Sequence, residues 1–116
     1  MQLEQKIRAL VEQAGMESFV PRSESYGHAA STALARLTEI QPPPNRTLLD
    51  VERSLKILSG IRDQSVLPPV NVDEPPSTLT SCRYRLRDGF HRYQFSLILG
   101  FTHIPIVVLP YFELET

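Results

Sequence analysis

The residues best suited to chemistry lie between positions 84 and 93, where an alternating segment meets a glycine and a helical pattern begins. The first N–H groups of a helix have no partner within the helix, and the helix dipole makes that end electropositive. Such an end can hold a phosphate through the main chain, and Gly89 lets a ligand approach the backbone closely. His91 and Arg92 add side-chain donors at the same end. The pattern therefore predicts an anion site at this turn.

A purely structural interpretation of the same turn is also open. His91 and Arg92 can form an ordinary polar helix start in which Arg92 pairs with Asp88. Three arginines precede the turn at every second position: Arg83, Arg85 and Arg87. They share one face of the predicted strand, which is either simply solvated or turned towards a phosphate.

The elements that must position this turn follow from the spacing of apolar residues. Three-and-four spacing predicts helices over residues 3–14, 48–59 and 90–99. Shorter apolar segments predict strands over residues 34–40, 67–72, 84–87 and 104–109. The polar stretch 17–31 has no periodicity and is interpreted as a loop or partly ordered connector. The order is therefore helix, strand, helix, strand, strand, helix, strand.

Local signals mark the ends of the predicted helices. Gly15 ends the first helix, Thr47 or Asp50 caps the second, and Gly100 takes a left-handed conformation after the third. The third helix is more apolar than one buried face requires. We expect the N-terminal helix to pack on it; the alternative is a homodimer contact.

Composition narrows the classes of protein to consider. The chain has 116 residues with 12 Lys+Arg and 13 Asp+Glu, so one compact domain is expected, and the net charge of -1 argues against coating nucleic acid by charge. The apolar run 104–109 is too short to cross a membrane, and the N-terminus does not read as a secretory signal. The single cysteine, Cys82, excludes an internal disulfide. We expect a cytoplasmic protein without a membrane segment.

The turn and its surroundings resemble a known superfamily. Residues 88–93, followed by Leu99-Gly100 and Ile104-Pro105, resemble the Gly-x-His-Arg signature of the ParB/sulfiredoxin superfamily. The segments 49–62 and 67–72 resemble the helix and the Pro-Pro strand that precede it. The resemblance covers about residues 37–109 and implies an α+β fold, a small mixed sheet packed against helices. It divides the chain into an N-terminal amphipathic helix and connector, residues 1–31, and a ParB/sulfiredoxin-like domain, residues 32–116.

The resemblance also implies a ligand and the residues that hold it. The implied phosphate or nucleotide site comprises Gly89, Phe90, His91, Arg92, Arg53 and Lys56. Arg53 and Lys56 stand at positions where sulfiredoxins reach the nucleotide from the preceding helix, and their spacing of three puts them on one helix face. The implied ligand is ATP, ADP or CTP, with Mg²⁺ as an accompanying ion.

Two classes of function fit this site. One is a nucleotide- or phosphate-binding module with a regulatory role, and the other is a phosphotransferase or ParB-like nuclease. Catalysis would need a carboxylate as a base or Mg²⁺ contact, and Asp88 and Glu39 are the only candidates considered. His28 and His103 are spaced too far apart to indicate a metal site, so none is predicted. This shortage favours binding, and we expect DNA binding by this chain alone to be weak or absent.

One activity of the superfamily is not expected. Phe90 occupies the position of the sulfiredoxin cysteine, so the nucleophile for sulfinic acid reduction is missing. The purified protein should leave an oxidised peroxiredoxin unrepaired in the presence of ATP, as followed by mass spectrometry. Repair above a no-protein control would contradict this expectation.

Overall fold

The computed structural model describes residues 2–111. Residue 1, which begins the predicted N-terminal segment, lies outside the described residues. Residues 112–116, which end the predicted ParB/sulfiredoxin-like domain, lie outside them as well. The elements are α1 (Leu3–Gln13), β1 (Ala33–Arg36), β2 (Ile40–Gln41), α2 (Val51–Arg62), β3 (Val70–Asp73), β4 (Tyr84–Asp88), α3 (Phe90–Ile98) and β5 (His103–Val108). The predicted order of helices and strands is confirmed, except that the first predicted strand is divided in two.

The five strands form one mixed sheet in the order β1-β5-β3-β4-β2. The pairs β1–β5 and β3–β4 are antiparallel, whereas β3–β5 and β2–β4 are parallel. All three helices contribute apolar side chains to the same buried core as the sheet. This arrangement confirms the predicted α+β class.

The predicted strand 34–40 is wrong in its middle, where residues 37–39 form a 3-10 turn. Leu34, Leu37 and Ile40 recur at every third position, whereas the side chains of a strand alternate with a period of two. The Glu39 carboxylate accepts a hydrogen bond from the N–H of Arg36 at 3.0 Å and closes the turn.

This turn determines the shape of the sheet. It joins β1 and β2, which lie at opposite edges of the sheet. Four residue steps span at most about 14 Å, so the two edges must lie close together. The sheet is therefore strongly curled, and β2 is brought alongside the start of β4.

The N-terminal helix packs where the sequence predicts. Helix α1 contacts both α2 and α3 and buries Ile7, Leu10 and Val11. These side chains join the same hydrophobic cluster as Phe95 of α3. Residues 2–31 therefore share one core with the rest of the described chain.

The loop between α1 and β1 is tied to the sheet. Its residue Tyr26 is only 2% exposed, and the tyrosine O–H donates to the carbonyl of Pro68 at 2.6 Å. The carbonyl of Glu24 accepts hydrogen bonds from the N–H groups of Thr102 and His103. The interpretation of this stretch as a loop is confirmed, and these bonds give it a fixed course.

Helix α2 begins and ends three residues later than predicted. Asp50, one of the two predicted caps, accepts from the N–H of Arg53 at 2.7 Å and sets the first turn. Gly60 lies within the helix, near its end. A Cβ at Gly60 would lie 2.8 Å from Leu67, so the glycine provides room for that side chain.

The helices α1, α2 and α3 have 11, 12 and 9 residues. Spanning a bilayer takes about 20 predominantly apolar residues. Within residues 2–111, no helix has the length and apolar character needed to cross a membrane.

Gly89 joins β4 to α3 in a conformation that suits glycine. Its φ is +103°, in the left-handed region. A Cβ at this position would lie 2.5 Å from Cγ1 of Val70 in β3, closer than any real contact. Both the backbone and the space around it therefore require glycine here.

We expect Gly89→Ala to destabilise the fold more than Gly15→Ala. A left-handed conformation costs a non-glycine residue about 1–2 kcal/mol, and overpacking adds about 1–3 kcal/mol. Gly15 has a φ of +70° but no atom within 4 Å of an added Cβ, so it isolates the conformational cost. Urea unfolding of the two variants measures the difference, and equal losses would contradict the proposed contact with Val70.

Candidate functional site

The turn has the strand, glycine and helix order that the sequence predicts. Strand β4 ends at Asp88, Gly89 is the residue before α3, and the helix begins at Phe90. No side chain caps the first turn of α3. The N–H groups at this helix start are therefore available for a ligand, and the helix dipole favours an anion there.

Arg92 lies directly beside this glycine. A Cβ at Gly89 would lie 3.2 Å from Nη2 of Arg92. Because glycine has no side chain, this space stays open beside the guanidinium. Nη1 of Arg92 donates to the carbonyl of Pro68 across a long 3.4 Å. The salt bridges of residues 2–111 do not include Arg92 with Asp88, so the structural alternative for Arg92 is not the arrangement observed.

His91 forms a contact that the sequence analysis did not predict. Its side chain is 4% exposed, and Nε2 accepts a hydrogen bond from the backbone N–H of Asp50 at 2.9 Å. An accepting Nε2 places the proton of the neutral ring on Nδ1. Nε2 thus links α3 to the start of α2, and the donation by His91 to a phosphate stays a prediction.

The pKa of His91 shows which charges surround it. Burial lowers this pKa first, and the positive charges of Arg46, Arg53 and Arg92 lower it further, against the opposing charge of Asp50. All three guanidinium groups thus act on the imidazole in the same direction. We refer to Arg46, Arg53 and Arg92 as the arginine cluster.

Arg46 belongs to this site although the sequence analysis did not select it. Its guanidinium carbon lies 4.5 Å from the centroid of the Phe90 ring, a cation–π distance. Phe90 is itself buried, and it meets His91 edge to face. The available signal was an arginine between the proline run 42–44 and the cap of α2.

Tyr26 is a second residue that the sequence analysis missed. Its O–H and Arg92 both donate to the carbonyl of Pro68, so the tyrosine fixes the group on which the guanidinium rests. Burial raises the pKa of Tyr26 well above its ordinary value, against the nearby charge of Arg92. Tyr26 therefore stays protonated and remains a donor.

Lys56 forms an ion pair within its own helix. It pairs with Glu52 at 3.6 Å, and both side chains are highly exposed. A role for Lys56 in ligand binding therefore stays a prediction.

The two candidate carboxylates lie at opposite ends of β4. Asp88 is exposed at the end next to Gly89. Glu39 caps the 3-10 turn, and its Oε2 lies 4.0 Å from Nη1 of Arg83. Arg83 is the residue just before β4 begins. The five residues of β4 correspond to about 17 Å, so Asp88 and Glu39 do not act on one ligand atom.

Arg85 and Arg87 share one ion-pair partner, Asp73. Both donate to Oδ2 of Asp73, at 2.9 and 3.0 Å, and Asp73 is only 1% exposed. The predicted alternation is confirmed, because Tyr84 and Leu86 are buried on the other face. These two arginines are therefore not a simply solvated face.

Within residues 2–111, no three His, Cys, Asp or Glu side chains come together as metal ligands. Mg²⁺ prefers oxygen ligands and commonly binds through one or two carboxylates together with substrate phosphates. The described residues thus contain no metal site built by the protein alone, and Mg²⁺ carried by a bound nucleotide stays a prediction.

Comparison with known proteins places the fold. No protein-family model matches the chain, and no curated protein matches it. Among solved structures, the C-terminally truncated partitioning protein ParB of Caulobacter crescentus, complexed with CTP-γ-S, matches at 23% identity with a TM-score of 0.56. Sulfiredoxin of Arabidopsis thaliana matches at 23% identity with a TM-score of 0.54, and a free serine kinase in complex with AMP at 22% with 0.55.

Each match covers most of this chain. The covered share is 72% for ParB, 68% for sulfiredoxin and 78% for the kinase. The chain spans 47% of the ParB structure, 86% of the sulfiredoxin structure and 35% of the kinase structure. The chain therefore has a ParB/sulfiredoxin-like fold, which confirms the resemblance.

The His91 bond generates a prediction about pH. Because the pKa of His91 in the folded protein lies below 6.5, the unfolded chain binds this proton more readily. The stability contributed by the neutral ring is full above about pH 6.5 and is lost as the pH falls through the folded pKa. Unfolding in urea should therefore become easier between pH 7.5 and 5.5.

His91→Gln keeps an acceptor near the N–H of Asp50 but does not titrate in this range, so its stability should change less with pH. His28→Gln leaves the His91 contact in place and should retain the wild-type change. The same loss of stability in His91→Gln and wild type would contradict the assignment to His91.

Proposed function

We propose that the chain is a nucleotide- or phosphate-binding module whose site is the turn at Gly89. The observation that carries this proposal is the uncapped start of α3, where Arg92 borders the space beside Gly89 and Arg46 lies over the ring of Phe90. The main-chain groups of Gly89, Phe90 and His91 would meet the phosphates, and Arg92 would clamp them from the side.

The charges of the cluster favour an anionic ligand. Arg46, Arg53 and Arg92 form none of the salt bridges found within residues 2–111. Asp50 is a carboxylate whose charge also acts on His91, and its side chain already caps α2. Three like charges repel one another, and a phosphate among them would relieve this repulsion.

The structural neighbours support the class of ligand. The ParB structure is a complex with CTP-γ-S, and the free serine kinase structures are complexes with AMP and with ADP. ATP, ADP and CTP are therefore the ligands to test first. The phosphates are the part common to all three, and the arginine cluster would contact this part.

An enzyme is the second candidate, and the position of Asp88 favours it. This exposed carboxylate directly precedes Gly89, so it could act on a group beside a bound phosphate. A phosphotransferase or nuclease would need this group, whereas a binding module would not. For the same chain we propose weak DNA binding at most, because net charge is -1.

We expect Arg92→Ala to weaken binding of ATP, ADP or CTP by about tenfold or more, because a charge-assisted hydrogen bond contributes about 1.5–3 kcal/mol. Arg46→Ala should weaken it as well. Arg62→Ala removes an exposed arginine that pairs with Asp63 at the far end of α2 and should bind like wild type. Calorimetry measures all four proteins.

Two results would contradict the proposed site: no binding of any of the three nucleotides, or wild-type affinity of Arg92→Ala. Nucleotide turnover that disappears in Asp88→Asn, with binding retained, would instead establish the enzyme.

A further inference from the structure

A cavity lies beside β4, and neither Gly89 nor Arg92 is among its lining residues. It has a volume of about 360 Å³. Its apolar walls include the proline run 42–44, Pro75 and Leu79, and its charged groups are Arg85 and Arg87. We call this cavity the proline cleft. Its size lies within the range of small-molecule sites, about 300–1,000 Å³.

The cleft carries positive charge. Its lining residues within the described chain include two arginines and no carboxylate. Behind them, Asp73 supplies one negative charge to two guanidinium groups, so one positive charge remains in excess. Gln41 and Thr80 add polar side chains to the lining. The charge and the donors both match an oxyanion.

Asp73 also holds the two arginines in place. It is 1% exposed, and its Oδ2 accepts from both Arg85 and Arg87. Each guanidinium has five N–H donors and uses one of them on this carboxylate. Oδ1 of Asp73 and Nε of Arg85 are buried and have no hydrogen-bond partner, but Oδ1 is an acceptor and does not bind an oxyanion. The side chains of Arg85 and Arg87 remain 36% and 45% exposed, so ordered guanidinium groups keep donors that the protein itself does not fill.

We propose that the proline cleft binds a small molecule with an oxyanion group, a carboxylate or a phosphate, on an apolar body. The oxyanion is held by Arg85 and Arg87, whose free N–H groups suit two oxygens. The apolar body lies against the prolines and Leu79. Because Asp73 already orders both side chains, binding costs little side-chain entropy.

This site is distinct from the phosphate site proposed above and does not rest on it. Arg87 precedes Phe90 by three residues, so their backbones are at most about 11 Å apart. The arginines that would bind the ligands differ, however: Arg85 and Arg87 pair with Asp73, whereas Arg92 lies beside Gly89. A ligand in each site could therefore be bound side by side.

The test uses three probes: phenyl phosphate, benzoate and inorganic phosphate. Binding is followed by the backbone amide shifts of the ¹⁵N-labelled protein. We expect phenyl phosphate or benzoate to shift amides of β4 and of the proline-cleft loops, and whichever binds tighter identifies the oxyanion. Inorganic phosphate should bind more weakly than phenyl phosphate, because it lacks the apolar body.

Variants separate this site from the first one. Arg87→Gln should weaken binding of the aromatic probe by about tenfold or more. Arg83→Gln is the matched control, because Arg83 lies just before the same strand, is exposed and does not line the cleft. Arg92→Ala should leave binding in the cleft unchanged even if the phosphate site is lost.

Arg85→Gln tests the second arginine of the cleft. It removes one guanidinium and leaves Arg87 on Asp73, so the aromatic probe should bind about tenfold more weakly. This arm decides the question if Arg87→Gln fails to fold. The proposal is overturned if no probe shifts the cleft amides at 20-fold excess, or if Arg83→Gln lowers affinity as much as Arg87→Gln. Wild-type affinity of a folded Arg85→Gln overturns it as well.

Discussion

The candidate phosphate site depends on one hydrogen bond, from the backbone N–H of Asp50 to Nε2 of His91. The two residues are 41 positions apart, and each lies at the start of a helix. The bond joins the N-terminal ends of α2 and α3, so the positive ends of two helix dipoles lie together. It also requires a neutral ring, which burial and the surrounding arginines favour. The structural role of His91 and the electropositive character of the site therefore have the same cause.

A second constraint fixes the side of the site next to the sheet. Gly89 lies so close to Val70 that no side chain fits between them, and Arg92 borders the same space. Arg92 rests on the carbonyl of Pro68, which the O–H of Tyr26 holds from the N-terminal loop. The loop before β1 thus contributes to the geometry of a turn far along the chain. Its fixed course is a requirement of the site as well as of the core.

The sequence predicted what is encoded locally. Apolar spacing, glycines and the Asp50 cap indicated the helices, the strands and the strand–glycine–helix turn, because each signal acts within a few residues. Arg46 and Tyr26 were missed because their roles come from contacts formed only in the folded chain: Tyr26 reaches Pro68 across 42 positions. The division of the first strand was missed although its apolar residues recur at every third position, the spacing of a 3-10 turn and not of a strand.

The arginines around β4 show why net charge says little about local sites. Strand alternation turns Arg85 and Arg87 to one face, where the buried carboxylate of Asp73 orders them. After Gly89 the chain enters α3, where Arg92 borders the space beside the glycine and does not pair with Asp73. Several acidic side chains of the described chain, Glu4 and Glu52 among them, form exposed pairs on helices instead. A chain with a net charge of -1 can therefore hold two separate groups of arginines, because the net value does not record where the charges lie.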